Sequence, residues 1–433
     1  MNIKAYNSNI ITNFFKIILF SIPILFVLGS FYVNLIAFLF SIFFFINFYK
    51  IKIKFDKKNY IIFFFLIFFL LSNSILSLNP IYSLQKSIFY LRFLFFLISI
   101  ILILNLLSFK EKKNLVIFFL IINVFFAFDT IIQFFFDIDL FGNKVNYAHA
   151  YGRLSGPFGD EYIVGIYFFC FGYLTYALYN TIYKVRNLHE IVFFILINIL
   201  IFLTGERNAF LTSMIFLFFL FLINKNHRKQ IFISLILIFV SVFFIIQTSE
   251  VLGNKYAFVD IQTISDRSEQ KIVVEKKIVE DKKIENSLIS KVSNVINNSH
   301  HLSHIRAGIK IFKNNTLLGS GFKTFRFACL EFIHKKNITC TSHPHNIYIE
   351  ILSDTGIIGF FIFVFGIIYL IYNFFKKKLY HDYTSSILIS VFIAFVFPLK
   401  PHGSIFSTNN AFMFWFILSC VIWNIFYKRE NEK

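Results

Sequence analysis

Two histidines, an asparagine and a carboxylate lie close together where a long polar stretch of the chain runs into a strongly apolar one. They are His343, His345, Asn346 and Glu350. Histidine is the side chain that most readily accepts or delivers a proton near neutral pH. Polar groups at the mouth of a membrane segment are costly and are retained mainly for function. These residue types therefore predict a reaction centre at a membrane surface.

Four arginines are candidates for holding an anion near such a centre. A guanidinium stays charged when partly desolvated, and its planar fork matches two phosphate oxygens. The four are Arg92, Arg153, Arg207 and Arg306. Arg92 has simpler interpretations, reaching outward to water or pairing with Asp129. Arg207 has one as well, a salt bridge with Glu206. As a set, the arginines favour a membrane-anchored diphosphate as the substrate.

The composition indicates that these residues belong to a protein embedded in a lipid bilayer. Of the 433 residues, 57% are hydrophobic and 67 are Phe, and the mean hydropathy is +0.71. Many apolar runs reach about 18 residues, which is enough for an α-helix to cross a bilayer. The expected fold class is therefore all-α, a polytopic membrane protein with about twelve transmembrane helices. They are predicted near residues 13–29, 31–48, 60–77, 87–107, 115–136, 161–181, 190–204, 208–223, 231–247, 346–374, 384–399 and 405–427.

The net charge of +19 is distributed unevenly over the connections between these segments. Alternate loops are rich in Lys and Arg, whereas the short loops of the opposite set are poor in both. The basic residues of that second set are Lys86, Lys144, Arg153, Arg207 and Lys400. Basic loops face the cytoplasm in membrane proteins. We therefore expect both termini inside and the segment from His343 to Glu350 on the outer face.

The chain is predicted to have three parts. Residues 1–247 form a membrane bundle of about nine helices, residues 248–345 a large outer loop, and residues 346–433 the C-terminal membrane helices. Within the loop, residues 271–285 have low complexity and mixed charge, which is typical of a solvated excursion or an amphipathic helix. Residues 304–312 predict a short amphipathic helix. The glycines that follow predict a tight turn.

On these residues the chain resembles the O-antigen ligase and polymerase superfamily of bacterial membrane enzymes. The family signature is His345-Asn346, nine further residues, Gly356, two residues and Gly359. Other matches are residues 204–208 at the start of a helix, Arg153 before residues 156–158, and Arg306 leading to residues 317–321. Glu206 departs from the pattern, because many relatives have a serine at that position.

The resemblance implies metal-independent transfer of a glycan from undecaprenyl diphosphate at the periplasmic face of the bacterial inner membrane. It assigns the base to His345 and the diphosphate contacts to Arg207 and Arg306. We add Glu350 as a residue that orients the imidazole, since it lies about one helical turn beyond His345. Further candidates for contacts with the substrate are Arg92, Arg153, Asn346 and His343.

Several functions share this donor and this motif. A ligase transfers a finished glycan to lipid A-core, a polymerase extends another lipid-linked repeat, and an oligosaccharyltransferase uses a protein hydroxyl. The nine-residue spacing favours the ligase, in lipopolysaccharide biosynthesis. A polysaccharide or lipid transporter is an alternative from another class and would need no base. The expected partners are the lipid-linked donor, a glycan acceptor and the bilayer, without nucleic acid.

The remaining cysteines, histidines and glycines are assigned structural roles. No spacing among the loop histidines matches a metal site, so we expect neither a metal nor another cofactor. Cys329 and Cys340 are close enough in sequence to form a disulfide in an oxidising compartment. Cys170 and Cys420 are expected to be inert hydrophobes. The glycines expected to permit close packing or turns are Gly319, Gly321, Gly356 and Gly359.

Overall fold

The computed structural model describes residues 9–50, 57–147, 152–183, 186–249, 252, 300–331 and 340–428. Within these ranges the regular structure is helical, apart from an isolated bridge between Ile138 and Lys144. The all-α prediction is confirmed. The low-complexity segment 271–285 lies outside the described residues.

The helices are numbered in chain order. The N-terminal ones are α1 (Asn9–Val27), α2 (Ser30–Lys50), α3 (Lys57–Ile75), α4 (Pro80–Leu106) and α5 (Phe109–Phe136). Helix α6 consists of Val164–Tyr167, a π-helical stretch Phe168–Gly172, and Tyr173–Ile182. Then come α7 (Asn187–Leu203), α8 (Arg207–Ile223), α9 (Arg228–Thr248), α10 (His300–Asn314) and α11 (Phe325–Leu330). The last three are α12 (Ile347–Lys376), α13 (Tyr383–Phe395) and α14 (Thr408–Ile422).

Each of the twelve predicted apolar segments corresponds to a helix among the described residues. Seven of these are long and apolar enough to cross a membrane, judged by length and composition. Helices α3, α7, α8 and α13 have shorter apolar stretches, and α6 is interrupted by its π-helical stretch. The protein is thus a multi-pass membrane protein.

Local sequence signals explain where several helices begin. Pro80 occupies the first turn of α4, where its missing N–H costs nothing, and the Asn79 side chain accepts from Tyr82 N at 3.3 Å. Ser108 and Glu111 form a reciprocal capping box at the start of α5. These starts are therefore determined by residues near each boundary.

Phenylalanines fill the interior, and hydroxyl groups join the helices. Phe26 of α1 packs against Phe171 of α6 and Phe412 of α14, with ring centroids 5.7 and 5.8 Å away. Ser99 of α4 donates to the Phe40 carbonyl of α2 at 2.7 Å. Apolar packing gives little net drive in lipid, so such polar contacts between helices help to fix their register.

Helix α12 is broken at Gly356, which has φ +65° inside an otherwise helical run. The chain before α11 occupies the break: Ile357 N donates to the Thr316 carbonyl at 2.8 Å, and Ser320 N donates to the Ser353 carbonyl at 2.8 Å. Gly321 N donates to the carbonyl of Asp354. Buried backbone groups in a membrane protein must find partners, and segment 316–321 supplies them.

Glycine is required on both sides of the joint between segment 316–321 and the break in α12. A Cβ on Gly319 would lie 2.6 Å from Gly356 N, and one on Gly356 would overlap Leu317. We predicted a turn at Gly319 and close packing at Gly356, and the structure shows these two glycines admitting a loop backbone into a broken helix. A Cβ on Gly359 would strike Thr355, and one on Gly321 would strike Ser77.

Replacing Gly356 by alanine should destabilise the protein, because the added Cβ meets backbone and the positive φ is strained. We expect a loss of about 2–4 kcal/mol, measured as a lower melting temperature in detergent. Gly366 on the same helix is the matched control, since nothing lies within 4 Å of its Cβ position. Gly366→Ala should leave the melting temperature unchanged or raise it. Equal effects of the two substitutions would contradict the close backbone contact that the structure shows at the joint.

Candidate functional site

The start of α12 is fixed by Asn346. Its side-chain oxygen accepts from Tyr348 N at 3.0 Å and from Ile349 N at 3.2 Å, which caps the helix. Its Nδ2 donates to the Pro398 carbonyl at 2.7 Å. Asn346 was predicted to contact substrate, and the structure gives it bonds that position the motif against the loop before α14.

His345 lies directly before this cap in the left-handed region, at φ +57°. A residue with a Cβ is uncommon there, and such conformations cluster at functional sites. The His345 carbonyl accepts from His402 N at 2.8 Å. Its ring lies 4.2 Å from the ring of His343 and 5.1 Å from that of His304 on α10, between centroids. Helix α10 also carries the partly buried Arg306.

Glu350 lies four positions into α12 and is almost fully buried. One carboxylate oxygen accepts from the Ser404 hydroxyl, and the other accepts from Ile405 N at 2.9 Å. Through these bonds it holds the loop whose His402 N–H binds the His345 carbonyl. We predicted that Glu350 orients His345, and these contacts support an indirect form of that role, through the loop.

The environment of His343 keeps its imidazole neutral. Burial, followed by the neighbouring His345, His304 and Arg326, lowers the pKa of His343 to about 4. Its Nδ1 lies 3.0 Å from the Ser342 hydroxyl. A neutral imidazole donates through one ring nitrogen and accepts through the other. His343 is therefore suited to hydrogen bonding near pH 7, without a charge of its own.

His402 and Lys400 are buried side chains in the loop before α14. His402 Nδ1 is 2.7 Å from the Gly403 carbonyl, which only accepts, so Nδ1 carries the proton. Burial lowers the pKa of His402 well below its usual range. Burial also lowers the pKa of Lys400 to about 7. The Lys400 ammonium faces the Phe395 ring at 5.6 Å and has no hydrogen-bond partner among the described residues.

Two of the predicted arginines lie on segments that the fold joins. Leu154 N donates to the Thr204 carbonyl at 3.0 Å, which brings the chain after Arg153 against the turn before Arg207. Both side chains are exposed. Arg207 is also the first residue of α8, so the positive end of that helix adds to its charge. Contact of these two arginines with an anion remains a prediction.

Glu206, the departure from the family pattern, is bonded to the start of α6. Its carboxylate accepts from Gly165 N at 2.5 Å, at the start of α6. A Cβ on Gly165 would lie 3.1 Å from the Glu206 side chain, so the two segments are in close contact. The acid therefore joins α6 to the turn before Arg207.

Arg92 is held by the helices around it. Its Nη2 donates to Asn34 Oδ1 at 2.5 Å on α2, and its guanidinium lies 4.5 Å from the centre of the Phe93 ring. Asp129, the partner considered from sequence, instead accepts from Leu140 N at 2.8 Å. The contacts of Arg92 give it a structural role between α2 and α4, and a substrate contact for it remains a prediction.

Two cations that the sequence analysis did not single out line a cavity beside His343. Lys323 and Arg326 form part of the wall of this space of about 220 Å³, together with Ser342, His343 and loop 403–410. Neither residue belongs to the signature, so the motif did not indicate them. The feature of the sequence that could have indicated these two cations is their position shortly after the glycine turn at Gly321.

A disulfide joins Cys329 to Cys340, with their Cα atoms 5.6 Å apart. It packs with Ala307, Ile311 and Phe325 in a small apolar cluster outside the main core. The bond connects α11 to the chain that leads into His343. The described residues contain no group of three potential metal ligands among His, Cys, Asp and Glu.

Residues 191–364 match a protein-family model described as O-antigen ligase. The matched range contains Arg207, Arg306 and His345, whereas loop 396–407 lies beyond it. No curated protein matches the chain. The resemblance to the O-antigen ligase superfamily, predicted from the motifs, is confirmed over the matched range.

Replacing Lys400 by methionine should raise the melting temperature at pH 6.5, because the fold buries an ammonium without a hydrogen-bond partner. The folded pKa of Lys400 is about 7, below its usual value of 10.5. The unfolded chain therefore binds more protons between these values, and wild-type stability rises with pH across that window. The gain in Lys400→Met is expected to be about 1–3 kcal/mol at pH 6.5 and to shrink by pH 9.

The measurement is thermal unfolding of both proteins in detergent at the two pH values. Lys313→Met, at an exposed lysine of α10, should leave the pH dependence unchanged. A lower melting temperature of Lys400→Met at pH 6.5 would show that the ammonium makes a stabilising contact.

Proposed function

We propose, from the match of residues 191–364 to a family model described as O-antigen ligase, that the protein transfers a glycan from undecaprenyl diphosphate to an acceptor hydroxyl. The site is assigned to the periplasmic face of the bacterial inner membrane, following the distribution of basic loops. The supporting observation is the placement of His345. It stands at the start of α12 in a strained conformation, with two other imidazoles beside it.

In the proposed reaction, the acceptor oxygen attacks the anomeric carbon of the donor sugar. The bond between that carbon and the diphosphate oxygen breaks, and undecaprenyl diphosphate leaves with the bonding electrons. The hydroxyl proton passes to the imidazole of His345, the general base. The diphosphate is already a good leaving group, so the reaction is written without a metal ion.

Arginines are assigned to the leaving diphosphate, where negative charge develops. Arg207 and Arg306 are the residues that the family resemblance indicates, and the exposed Arg153 lies on a segment bonded to the turn before Arg207. Preorganised cations stabilise the transition state more than the ground state when they face the departing oxygen. This gives the cations a catalytic role as well as a binding role.

The other motif residues position the base. Asn346 and Glu350 hold the loop before α14, and that loop in turn binds the His345 carbonyl. An imidazole placed by packing and hydrogen bonds loses less freedom when the acceptor arrives, which lowers the barrier. Both are therefore positioning residues in this proposal.

Ligation to lipid A-core in lipopolysaccharide biosynthesis is the reaction we favour. The support is the match to a family model described as O-antigen ligase and the nine-residue spacing of the signature. A polymerase is the second candidate, and a protein O-oligosaccharyltransferase the third. A transporter would not require a base at residue 345.

His345→Ala should reduce product formation about 10²–10⁴-fold, the usual contribution of a positioned general base. The assay incubates the purified protein in nanodiscs with an undecaprenyl diphosphate-linked oligosaccharide and each acceptor type, followed by mass analysis. The donor should remain unconsumed in the variant. His189→Ala, at an exposed histidine on α7, is the control and should keep full activity.

The product identifies the reaction type. One discrete glycolipid indicates a ligase, a ladder of glycans a polymerase, and a modified peptide an oligosaccharyltransferase. Wild-type rates in His345→Ala would remove the assignment of the base. Transport of the lipid-linked glycan across the membrane without product would favour the transporter.

A further inference from the structure

The cavity beside His343 has the features of an anion site. One wall carries Lys323, Arg326, Ser342 and His343, and loop 403–410 forms the other. No carboxylate is among the residues that line it. A volume of about 220 Å³ is small for a whole ligand but suits a charged group on a larger one.

The positive charge of Lys323 is only partly balanced by a nearby acid. Lys323 Nζ donates to the Phe406 carbonyl at 3.0 Å. Burial, and then Lys86 and Arg326, lower the pKa of Lys323, whereas Glu350 raises it, and the net shift is downward. Both oxygens of Glu350 also accept hydrogen bonds from the loop before α14. An anion bound between Lys323 and Arg326 would stabilise both charges.

One buried atom of the wall lacks a partner. His343 Nε2 is buried and has no hydrogen bond among the described residues. When the Ser342 hydroxyl donates to Nδ1, the neutral ring carries its proton on Nε2 and becomes a donor. Leaving a buried donor unbonded costs about 1–3 kcal/mol. A donor without a partner in the described part of the chain therefore belongs to a residue of the cavity wall.

These cations and the Arg153–Arg207 pair are held by different parts of the fold. Lys323 and Arg326 follow segment 316–321, which is bonded to α12. Arg153 and Arg207 belong to segments bonded to each other through Leu154 and Thr204. A transferase must hold two substrates at once, and two separately supported groups of cations can serve one each.

We propose that the cavity lined by Lys323, Arg326 and His343 is a subsite for a carboxylate or phosphate group of the acceptor. This inference rests on the proposed glycosyl transfer. The His343 ring lies 4.2 Å from the ring of His345. An acceptor anchored there by its charged group presents a neighbouring hydroxyl to the base, while the donor diphosphate binds the arginines assigned to it above, Arg207 and Arg306.

The test is lysine acylation of the whole protein in nanodiscs, with the rate at each lysine read by mass spectrometry. Glucuronate and inorganic phosphate, the probes for the acceptor's charged group, should slow acylation of Lys323 about threefold or more when saturating. Undecaprenyl diphosphate, the probe for the donor, should leave that rate unchanged. Lys313 is the control in the same digest, exposed on α10 and outside the cavity.

Arg326→Gln is the matched variant, because this side chain is exposed at the cavity and its loss should not affect folding. It should abolish protection of Lys323 and raise the KM for a charged acceptor about tenfold, with the KM for donor unchanged. Lys313→Gln, with the same change of charge, should alter neither. Unchanged acylation of Lys323 with either anion overturns the proposal, as does equal protection by undecaprenyl diphosphate.

Failure of the inference and failure of the proposed function give different results. Protection of Lys323 is measured without turnover, whereas the product assay on the wild type reports transfer. An active wild type in which Arg326→Gln leaves both KM values unchanged keeps the function and overturns the subsite. A wild type without product overturns the function, whatever the acylation pattern.

Discussion

The break in α12 is the constraint on which the site depends. A helix interrupted in a membrane protein exposes backbone N–H and C=O groups that lipid cannot satisfy. Segment 316–321 satisfies them, with hydrogen bonds of 2.8 Å to Ser353 and Ile357. Only glycine at positions 319 and 356 allows the two backbones to come this close. The joint thereby fixes the chain that carries Lys323 and Arg326 to the helix that begins after His345.

The loop before α14 completes the enclosure. It is held at Pro398 by Asn346, at His402 by the His345 carbonyl, and further along by Glu350. All three anchors lie in the signature at the start of α12. The polar residues of the signature are therefore largely committed to holding a second segment in place, and His345 is the residue to which we assign the proposed proton transfer. This division explains why one short motif contains so many polar groups.

The acids near the site are bonded to the fold. Glu206 accepts from Gly165 N, and Glu350 accepts from Ser404 and Ile405. Burial keeps the imidazole of His343 neutral, because its pKa is about 4. Cations held close together repel one another and are stabilised when an anion binds between them. The arrangement is compatible with the proposed reaction, in which a diphosphate leaves while a second substrate is held nearby.

Sequence alone determined the all-α class and the positions of the apolar helices, and it indicated His345 as the candidate base. These follow from apolar length and from a motif of fixed spacing, which are local properties. The motif does not indicate Lys323 and Arg326. It predicts that Glu350 orients the imidazole of His345 by direct contact. Their roles depend on contacts across long stretches of chain, with the loop before α14 and the break at Gly356. Hydrogen bonds between segments distant in sequence leave no period or spacing to detect, so only the tertiary structure decided which polar groups are used in packing and which remain for substrate.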